Sequence, residues 1–529
     1  MSAQMKRGSK YQKNDKKYKF EGKKSEPSSQ GTPDKGPSPQ EKLKEMINTS
    51  LAYLMTEKED LELEVRFGTK NIKYITKQDY DNVIQKLLSL DFRMDGPGDY
   101  ILRCFGEYTD PQTGVVKQSN IRTEINGLAN IKKFCETNSV DEFQYEYDIK
   151  CVQKSNFRLM PNKKRENMGI DIEEKEEEKE EETKTYLPVE FNDFNFRVAL
   201  NREYLLRSES VQVNEIMKSW TDTKKIYRLI NRVSFIHRDM SVNPFKIDLS
   251  VVRESHKRPG RYNMIPEYNI KDAEVFEANP KYEIEIEMIN NAVYDMTAEK
   301  VESELKKTIK YVLSGLQQTN YPVSYIEQNS IMKDYLKLVR GDEYDEQRMQ
   351  NYRAKTRDFV GPSSYTLQLK NVAAINPDSN IPNIRNNYTV TDKADGERKL
   401  LYINDKGKIY LIDINMNVQF TGTVTEPFLG NTILDGEHIL HDKNKLFINL
   451  YAAFDIYFLD NSDKRALGFV PMTDEQRQNP DKYRLTILNG VIQNLKPKSI
   501  VPTEKISPLR IQIKHFGIAN EEKSIFQET

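Results

Sequence analysis

The sequence predicts an α+β fold in which a strand-rich domain precedes a mixed α/β lobe. Short runs with strand-like alternation recur between residues 99 and 290, separated by turns, as in barrels and sandwiches. Apolar residues at helical spacing mark three segments, 41–56, 76–90 and 297–315, the last ending near Gly315. Beyond Gly361-Pro362, strand-like runs accompany a single helical segment, which is typical of a mixed lobe.

The elements follow in order along the chain. A strictly alternating strand is predicted at 61–68, and Thr76 is the expected N-cap of the second helix. Residues 326–355 are predicted to be mostly helical and to connect the two domains, and a helix is expected near 481–495. The remaining predicted strands are 100–105, 121–126, 143–152, 194–200, 226–236, 244–252, 281–289, 388–391, 399–403, 408–414, 432–434, 446–450, 452–459 and 509–516.

Composition excludes several classes of protein. The 529 residues suggest several domains, and the net charge of −1 gives no global field for nucleic acid, so any anion site must be local. Cys104, Cys135 and Cys151 are too few and too widely spaced for a disulfide framework or a zinc cluster. His438 and His441 have no third ligand nearby in the sequence, so they are a weak metal candidate. Neither a membrane span nor a secretory signal is expected.

Three regions are predicted from these patterns. Residues 1–40 form a basic tail too poor in apolar residues to fold, either simply solvated or in contact with RNA. Residues 41–325 form the strand-rich domain, interrupted at 171–184 by an acidic, solvated loop insertion. Residues 326–529 form the lobe.

Glutamates occupy alternate positions in two predicted strands. Residues i and i+2 of a strand share a face, so Glu62 and Glu64 point away from the apolar Leu61, Leu63 and Val65. Carboxylates are costly on such a face unless it is wet or holds cations. A half-exposed strand with Glu/Arg ladders is one explanation. The other is a closed antiparallel β-barrel whose interior glutamates bind Mg²⁺ or Mn²⁺. The second acidic face carries Glu283, Glu285 and Glu287.

Basic residues lie on the strands between these two acidic strands. Acidic and basic faces inside one tunnel suit a polyphosphate together with its metal ion. The strongest basic candidates are Arg122, Arg197, Arg228 and Arg232.

The ordered motifs resemble those of metal-dependent RNA 5′-triphosphatases, the triphosphate tunnel enzymes of fungi, protozoa and large DNA viruses. The motifs are Leu-Glu-Leu-Glu-Val-Arg (61–66), Phe-Arg-Val-Ala (196–199), Arg-Leu-Ile-Asn-Arg (228–232), Phe-Lys-Ile-Asp (245–248) and Tyr-Glu-Ile-Glu-Ile-Glu (282–287). The resemblance implies that the five glutamates bind the metal and that Arg122, Arg197 and Arg232 bind triphosphate. Glu203 and Asp248 would orient water or the basic groups. The family often has Lys where this chain has Ile230, so Arg228 or Lys246 is expected to substitute.

A Lys-Ala-Asp-Gly turn at 393–396 carries the second candidate site. Burial beside other cations lowers the pKa of a lysine and makes it a nucleophile. Lys393 is therefore a candidate for attack on a nucleotide α-phosphate, with Asp395 beside it. The alternative is an ordinary hairpin turn with an Asp-Gly corner.

Two later motifs favour the catalytic interpretation. Leu-Asp-Gly-Glu (434–437) and Phe-Asp-Ile (454–456), taken with the lysine motif, are similar to motifs of covalent nucleotidyltransferases. The sequence around these motifs is similar to that of multifunctional mRNA capping enzymes of poxviruses and other nucleocytoplasmic large DNA viruses. That resemblance implies guanylylation of Lys393 by GTP and a place for this chain in the host cytoplasm or the virion. Asp395 would hold the lysine or assist the metal, and the nucleotide would be bound by Arg398, Glu437, Phe454 and Asp455.

The lobe is expected to be incomplete. The family has a later Glu-Gly strand, a Lys-x-Lys strand and an oligonucleotide-binding fold. No Glu-Gly follows Asp455, and Lys496-Pro-Lys498 lies in a loop-like context and comes too early. The resemblance implies 5′-triphosphate RNA and GTP as substrates. It also implies a C-terminal oligonucleotide-binding and methyltransferase portion, or a separate methyltransferase subunit. An ATP-dependent ligase and an inactive scaffold that retains both folds are the alternatives.

Overall fold

The computed structural model describes residues 36–55, 60–68, 73–159, 184–258, 263–349, 352–385, 388–426 and 429–518. The basic tail expected at 1–40 and the acidic insertion expected at 171–184 lie almost wholly outside the described residues. None of the helices described in these ranges has the length and apolarity needed to cross a membrane.

Helices surround the strand-rich domain and link it to the lobe. The second of them begins at Thr76, whose side chain accepts from Asp79 N in a capping box, as the sequence predicts. The helices are α1 (Pro39–Leu54), α2 (Lys77–Leu88), α3 (Leu128–Thr137), α4 (Val211–Lys218), α5 (Ala298–Gln317), α6 (Tyr325–Arg340), α7 (Glu346–Met349), α8 (Leu369–Val372), α9 (Asp474–Arg477) and α10 (Arg484–Asn494).

The strand-rich domain is a closed antiparallel barrel. Around the ring the strands follow the order β1, β12, β11, β10, β3, β4, β5 and β9, and β9 pairs with β1 to close it. The predicted closed barrel is thus confirmed. The strands of this domain are β1 (Leu61–Phe67), β2 (Phe92–Met94), β3 (Asp99–Thr109), β4 (Val116–Asn126), β5 (Ile149–Asn156), β6 (Arg158–Leu159), β7 (Lys184–Thr185), β8 (Val189–Phe191), β9 (Phe196–Leu205), β10 (Lys225–His237), β11 (Phe245–Glu254) and β12 (Lys281–Met288).

The hydrophobic core of this domain lies outside the barrel, under the helices. Leu61, Leu63 and Val65 of β1 are buried there against α1, α2 and α5. The charged residues of the same strand therefore face the interior, because successive side chains alternate.

Gly315 does not end its helix, which continues to Gln317. A Cβ at this position would lie 2.7 Å from the Cα of Val83. The helix thus ends close to Gly315, as predicted, and the glycine itself allows α2 and α5 to approach closely.

The lobe is built on one large sheet with a helix on each face. Its strands follow the order β19, β18, β17, β14, β15, β16 and β20, and β21 pairs in parallel with β18. Buried residues of α6 pack on one face and those of α10 on the other. The strands are β13 (Thr389–Val390), β14 (Glu397–Ile403), β15 (Lys408–Asp413), β16 (Val418–Val424), β17 (Thr432–His441), β18 (Phe447–Leu459), β19 (Ser462–Asp463), β20 (Lys498–Ser499), β21 (Arg510–Ile513) and β22 (Gly517–Ile518).

Three differences from the predicted lobe have clear causes. The runs at 446–450 and 452–459 are one strand, β18, which keeps its pairing with β17 through bulges. β16 was not predicted, because its apolar positions are interleaved with Thr421, Gly422 and Thr423. The segment 326–355 is helical mainly up to Arg340.

A short connection after α5 fastens the barrel domain to the lobe. Thr319 Oγ1 donates to the carbonyl of Phe420 in β16 over 2.6 Å. Tyr321 then lies against Gly422, where φ is +77° and a Cβ would lie 2.3 Å from the ring. The glycine thus admits the ring against the sheet.

Candidate active sites

The interior of the barrel holds the first candidate site. β1 lies between β9 and β12, with Glu64 opposite Glu287 and Arg66 opposite both Glu285 and Arg197. All the predicted glutamates of β1 and β12 therefore face the same interior as the basic strands. The structure brings the two acidic strands together as neighbours.

Lys154 of β5 is the cation shared by the glutamates of β1. Its Nζ lies 2.5 Å from an oxygen of Glu62, 2.9 Å from Glu64 and 3.8 Å from Glu203. The sequence analysis missed it, because a single lysine in Gln-Lys-Ser is no motif. The only local signal is that Lys150 and Lys154 lie on the same face of β5.

Negative charge exceeds positive charge around Glu62. Burial raises the pKa of Glu62 to about 7, although Lys154 acts in the opposite direction. The carboxylates of Glu64, Glu203 and Glu287 add to this rise. Within the described ranges, no three His, Cys, Asp or Glu side chains already surround a common point. The excess of buried carboxylate oxygens nevertheless fits a hard divalent cation.

Glu283 and Glu285 have guanidinium partners instead. Glu285 is paired with Arg66 and lies 3.5 Å from Arg232. Burial would raise the pKa of Glu285, but these two arginines outweigh it and hold the pKa at about 2. Glu283 accepts from Arg228 over 2.7 Å. The five predicted metal ligands thus fall into two groups, since Glu62, Glu64 and Glu287 form their ion pairs with lysines and not with arginines.

The predicted basic residues line the same interior. Arg122 donates to Glu124 over 2.8 Å and also to Glu203. Arg232 lies 2.9 Å from an oxygen of the buried Asp248, which also accepts from Ser234. Glu203 and Asp248 are therefore charge partners of arginines, as the sequence suggested.

Two arginines at one end of the barrel have donor atoms without partners. Arg66 and Arg197 are directly opposite each other, and the Nε atom of each is buried and donates no hydrogen bond within the described residues. Paired guanidiniums with unused donors fit an anion with several oxygens.

Further basic residues were missed or only suggested by the sequence. Arg103, like Arg122, lies 2.8 Å from Glu124. Lys246, named as a substitute for the usual family lysine, lies 2.9 Å from Glu287. Ile230 lies between Arg228 and Arg232 at a fully buried position and contributes no charge.

Lys393 in the lobe does not have the expected environment. Its side chain is 86% exposed, and its Nζ lies 2.9 Å from Asp395 Oδ1. The hydrogen bond to Asp395 raises the pKa of Lys393, whereas the sequence predicted that burial would lower it. The motif also forms no hairpin, because β13 pairs with β22 and the chain enters β14 only after Gly396. Asp395, a member of the same motif, therefore works against the lowered pKa that the sequence predicted.

Arg398, five residues after this lysine, is fixed by a buried carboxylate. Its Nε and Nη2 donate to the two oxygens of Asp435 over 3.1 and 2.6 Å, and Tyr457 donates to the same carboxylate over 2.5 Å. The side chain of Asp435 is fully buried. Its role as the anchor of Arg398 was not predicted from the sequence. The guanidinium carbon lies 6.0 Å from the Phe454 ring.

Glu437 is opposite Arg398 in the pairing of β14 with β17. Its Oε2 is buried without a hydrogen bond in the described chain and lies 4.0 Å from Lys514 Nζ. Lys514, just after β21, was also missed, since its approach depends on pairing with the distant β18. Arg398, Glu437 and Lys514 thus form one charged cluster near Lys393.

Asp455 and His438 have structural partners. Asp455 accepts from Arg484 of α10 over 2.8 and 3.2 Å. His438 is buried between Lys399 and Asn449, at 3.2 and 2.8 Å, while His441 is exposed. Burial lowers the pKa of His438 to about 4, so the ring is neutral, and the His438–His441 pair does not form a metal site.

Comparisons with known proteins place the lobe. Residues 336–529 match the family model for the mRNA capping enzyme, catalytic domain. A probable mRNA-capping enzyme of Acanthamoeba polyphaga mimivirus is 32% identical over 185 residues, which cover 35% of this chain and 13% of that protein. The expected resemblance to viral capping enzymes is confirmed for this part of the chain. The matched region is a small share of the relative's length.

Solved structures of two RNA triphosphatases each match about half of this chain. The match to the mimivirus capping enzyme triphosphatase covers 51% of this chain and 97% of that chain, with 15% identity and a TM-score of 0.31. The match to the S. pombe Pct1 RNA triphosphatase covers 54% of this chain and 94% of that chain, with 15% identity and a TM-score of 0.26.

Proposed function

We propose that this chain acts in mRNA 5′ capping and that its barrel removes the γ-phosphate of 5′-triphosphate RNA. The observation that carries this proposal is the closed interior in which a carboxylate cluster with one shared lysine lies beside facing arginines. A metal-bound triphosphate needs both kinds of charge in one enclosed site.

Each group of side chains would have its own task. Glu62, Glu64 and Glu287 would hold Mg²⁺ or Mn²⁺, which would neutralise charge on the phosphoryl oxygens. Arg66 and Arg197 would bind phosphate oxygens with donors that are now unused. Water would add to the γ-phosphorus as the bond from that phosphorus to the oxygen bridging it to the β-phosphate breaks. Inorganic phosphate and a proton would leave, and the RNA would keep a diphosphate end.

The lobe would supply the nucleophile for the next step. Lys393 Nζ would form a bond to the α-phosphorus of GTP, and the bond from that phosphorus to the β-phosphate would break, releasing pyrophosphate. Lys393 must first lose a proton, so its hydrogen bond to Asp395 has to open. Arg398 and Glu437 would contact ribose or phosphate, with Phe454 against the guanine. This transfer would take place in the host cytoplasm or the virion.

Phosphate release tests the first proposal. Triphosphate-ended RNA labelled at the γ-position is incubated with the chain and Mn²⁺, and released phosphate is counted. We expect release from the wild type, diphosphate-ended RNA as the product, and none from Glu64→Gln. Release at the same rate from Glu64→Gln would disprove the assignment of the barrel.

Nucleotide labelling tests the second. With α-labelled GTP we expect labelled protein, at low yield in this chain alone, and none from Lys393→Met. Labelling by ATP in place of GTP would favour a ligase.

A further inference from the structure

A cleft of about 1280 Å³ separates the barrel domain from the lobe. Residues of α2 and the segment before it form one wall, α6 forms another, and the ends of β14, β15 and β16 complete it. This cleft shares Arg398 with the candidate site of the lobe and lies outside the barrel interior. The lining residues that matter are Lys73, Gln328, Lys333, Arg353, Arg398 and Asn417.

The cleft extends from one candidate site to the other. At the barrel end, the carbonyl of Lys73 accepts from Asn195 Nδ2 over 2.7 Å. The carbonyl of Asn195 accepts in turn from Gly68 N over 2.9 Å. Gly68 and Asn195 directly flank β1 and β9 at the end of the barrel where Arg66 and Arg197 face each other. At the other end the cleft reaches Arg398 of the lobe.

Each acidic group of the lining already has local partners. Asp79 is held by the capping box of Thr76 and by Lys73. Asp413 accepts from the backbone of Asn415 and Asn417. Glu397 lies 3.2 Å from Lys399 Nζ.

Two basic groups of the lining, one on α6 and one in the segment after it, are not neutralised. Lys333 and Arg353 are exposed, and neither forms an ion pair with any described residue. Gln328 Nε2 is buried and has no hydrogen-bond partner in the described part of the chain. The cleft therefore offers free donors and positive charge to a ligand.

We propose that the cleft binds the single-stranded RNA that follows the 5′ end of the substrate, so that the end can pass between the two sites. This inference rests on the proposed function. The cleft is larger than the roughly 300–1,000 Å³ of small-molecule pockets, so it suits several linked nucleotides. Grooves for single-stranded nucleic acid follow the phosphates with cations in this way.

The test compares a long and a short substrate. The double variant Lys333→Gln/Arg353→Gln removes both free charges, and Lys218→Gln, at the exposed end of α4, is the matched control. Binding of a fluorescent 20-nucleotide RNA is measured by anisotropy across a salt series. Losing two phosphate contacts should lower the salt slope by about 1.4 and weaken binding about 60-fold at about 50 mM salt. Phosphate release from a triphosphate-ended dinucleotide should stay within about twofold of the wild type.

The outcomes separate this inference from the proposed function. Equal RNA affinity in the double variant and the Lys218→Gln control would overturn the inference. It would also be overturned if phosphate release from the dinucleotide fell as much as binding of the 20-nucleotide RNA. If the wild type releases no phosphate at all, the proposed function fails, while the anisotropy comparison still decides whether the cleft binds RNA.

Discussion

Lys154 is the cation shared by Glu62, Glu64 and Glu203, and methionine removes its charge while keeping most of its volume. The lysine side chain is 29% exposed. Its loss should therefore cost more than the ~0–1 kcal/mol of an exposed pair and less than the ~3–5 kcal/mol of a broken buried pair. We expect about 2 kcal/mol without metal, or about 4–8 °C in melting temperature.

The same variant should respond more strongly to a divalent cation than the wild type does. Without Lys154, the charge around Glu62 and Glu64 is balanced only by an added ion. Thermal melts in EDTA and in millimolar Mn²⁺ should show most of the lost stability restored by Mn²⁺ in Lys154→Met, with a smaller gain in the wild type.

Lys150→Met is the matched control on the same strand. Lys150 lies 3.3 Å from Glu124, which keeps Arg103 and Arg122 when the lysine is lost. Its melting temperature should change little and its Mn²⁺ response should match the wild type. An identical Mn²⁺ response in Lys154→Met and Lys150→Met would refute the placement of the cation beside Glu62.

Three further substitutions test the packing that positions the sites. Gly315→Ala should lower the unfolding free energy in urea by about 1–3 kcal/mol, since its Cβ would lie 2.7 Å from the Cα of Val83, and an unchanged midpoint would contradict this contact. Asp435→Asn leaves Arg398 against a neutral amide and should cost about 3 kcal/mol by the same measurement, with a loss under ~0.5 kcal/mol counting against the anchor. Gly361→Ala places a Cβ 2.7 Å from Arg398 Nη2 at a φ of +121°, so labelling by GTP should fall severalfold, and wild-type labelling would show that Arg398 can move freely.

The sequence reveals the barrel better than it reveals the charge partners inside it. Alternation in β1 and β12 is local, so the facing of Glu64 and Glu285 follows from the strand period alone. Closure requires β1 to pair with β9, and no local pattern specifies that pairing. Lys154 becomes significant only after closure, because the ring then brings β5 near β1.

The lobe shows the same limit. The motif around Lys393 is visible in the sequence, but the exposure of its side chain depends on elements far along the chain. Asp435 could have been singled out, since a carboxylate inside an apolar strand needs a partner. Lys514 reaches Glu437 only through a parallel pairing with β18, which sequence patterns did not predict.

Closure of the ring also has a consequence for synthesis of the chain. β1 cannot meet β12 until about 220 further residues have been made, from Phe67 to Met288, which takes on the order of 10–45 s at ribosomal speeds. Until β12 is made, β1 can pair only with β9 and keeps its other edge free. Its Glu62, Glu64 and Arg66 then put charge along a strand that would otherwise attract other chains. We therefore expect the side chains proposed for the barrel site also to disfavour aggregation of the nascent barrel.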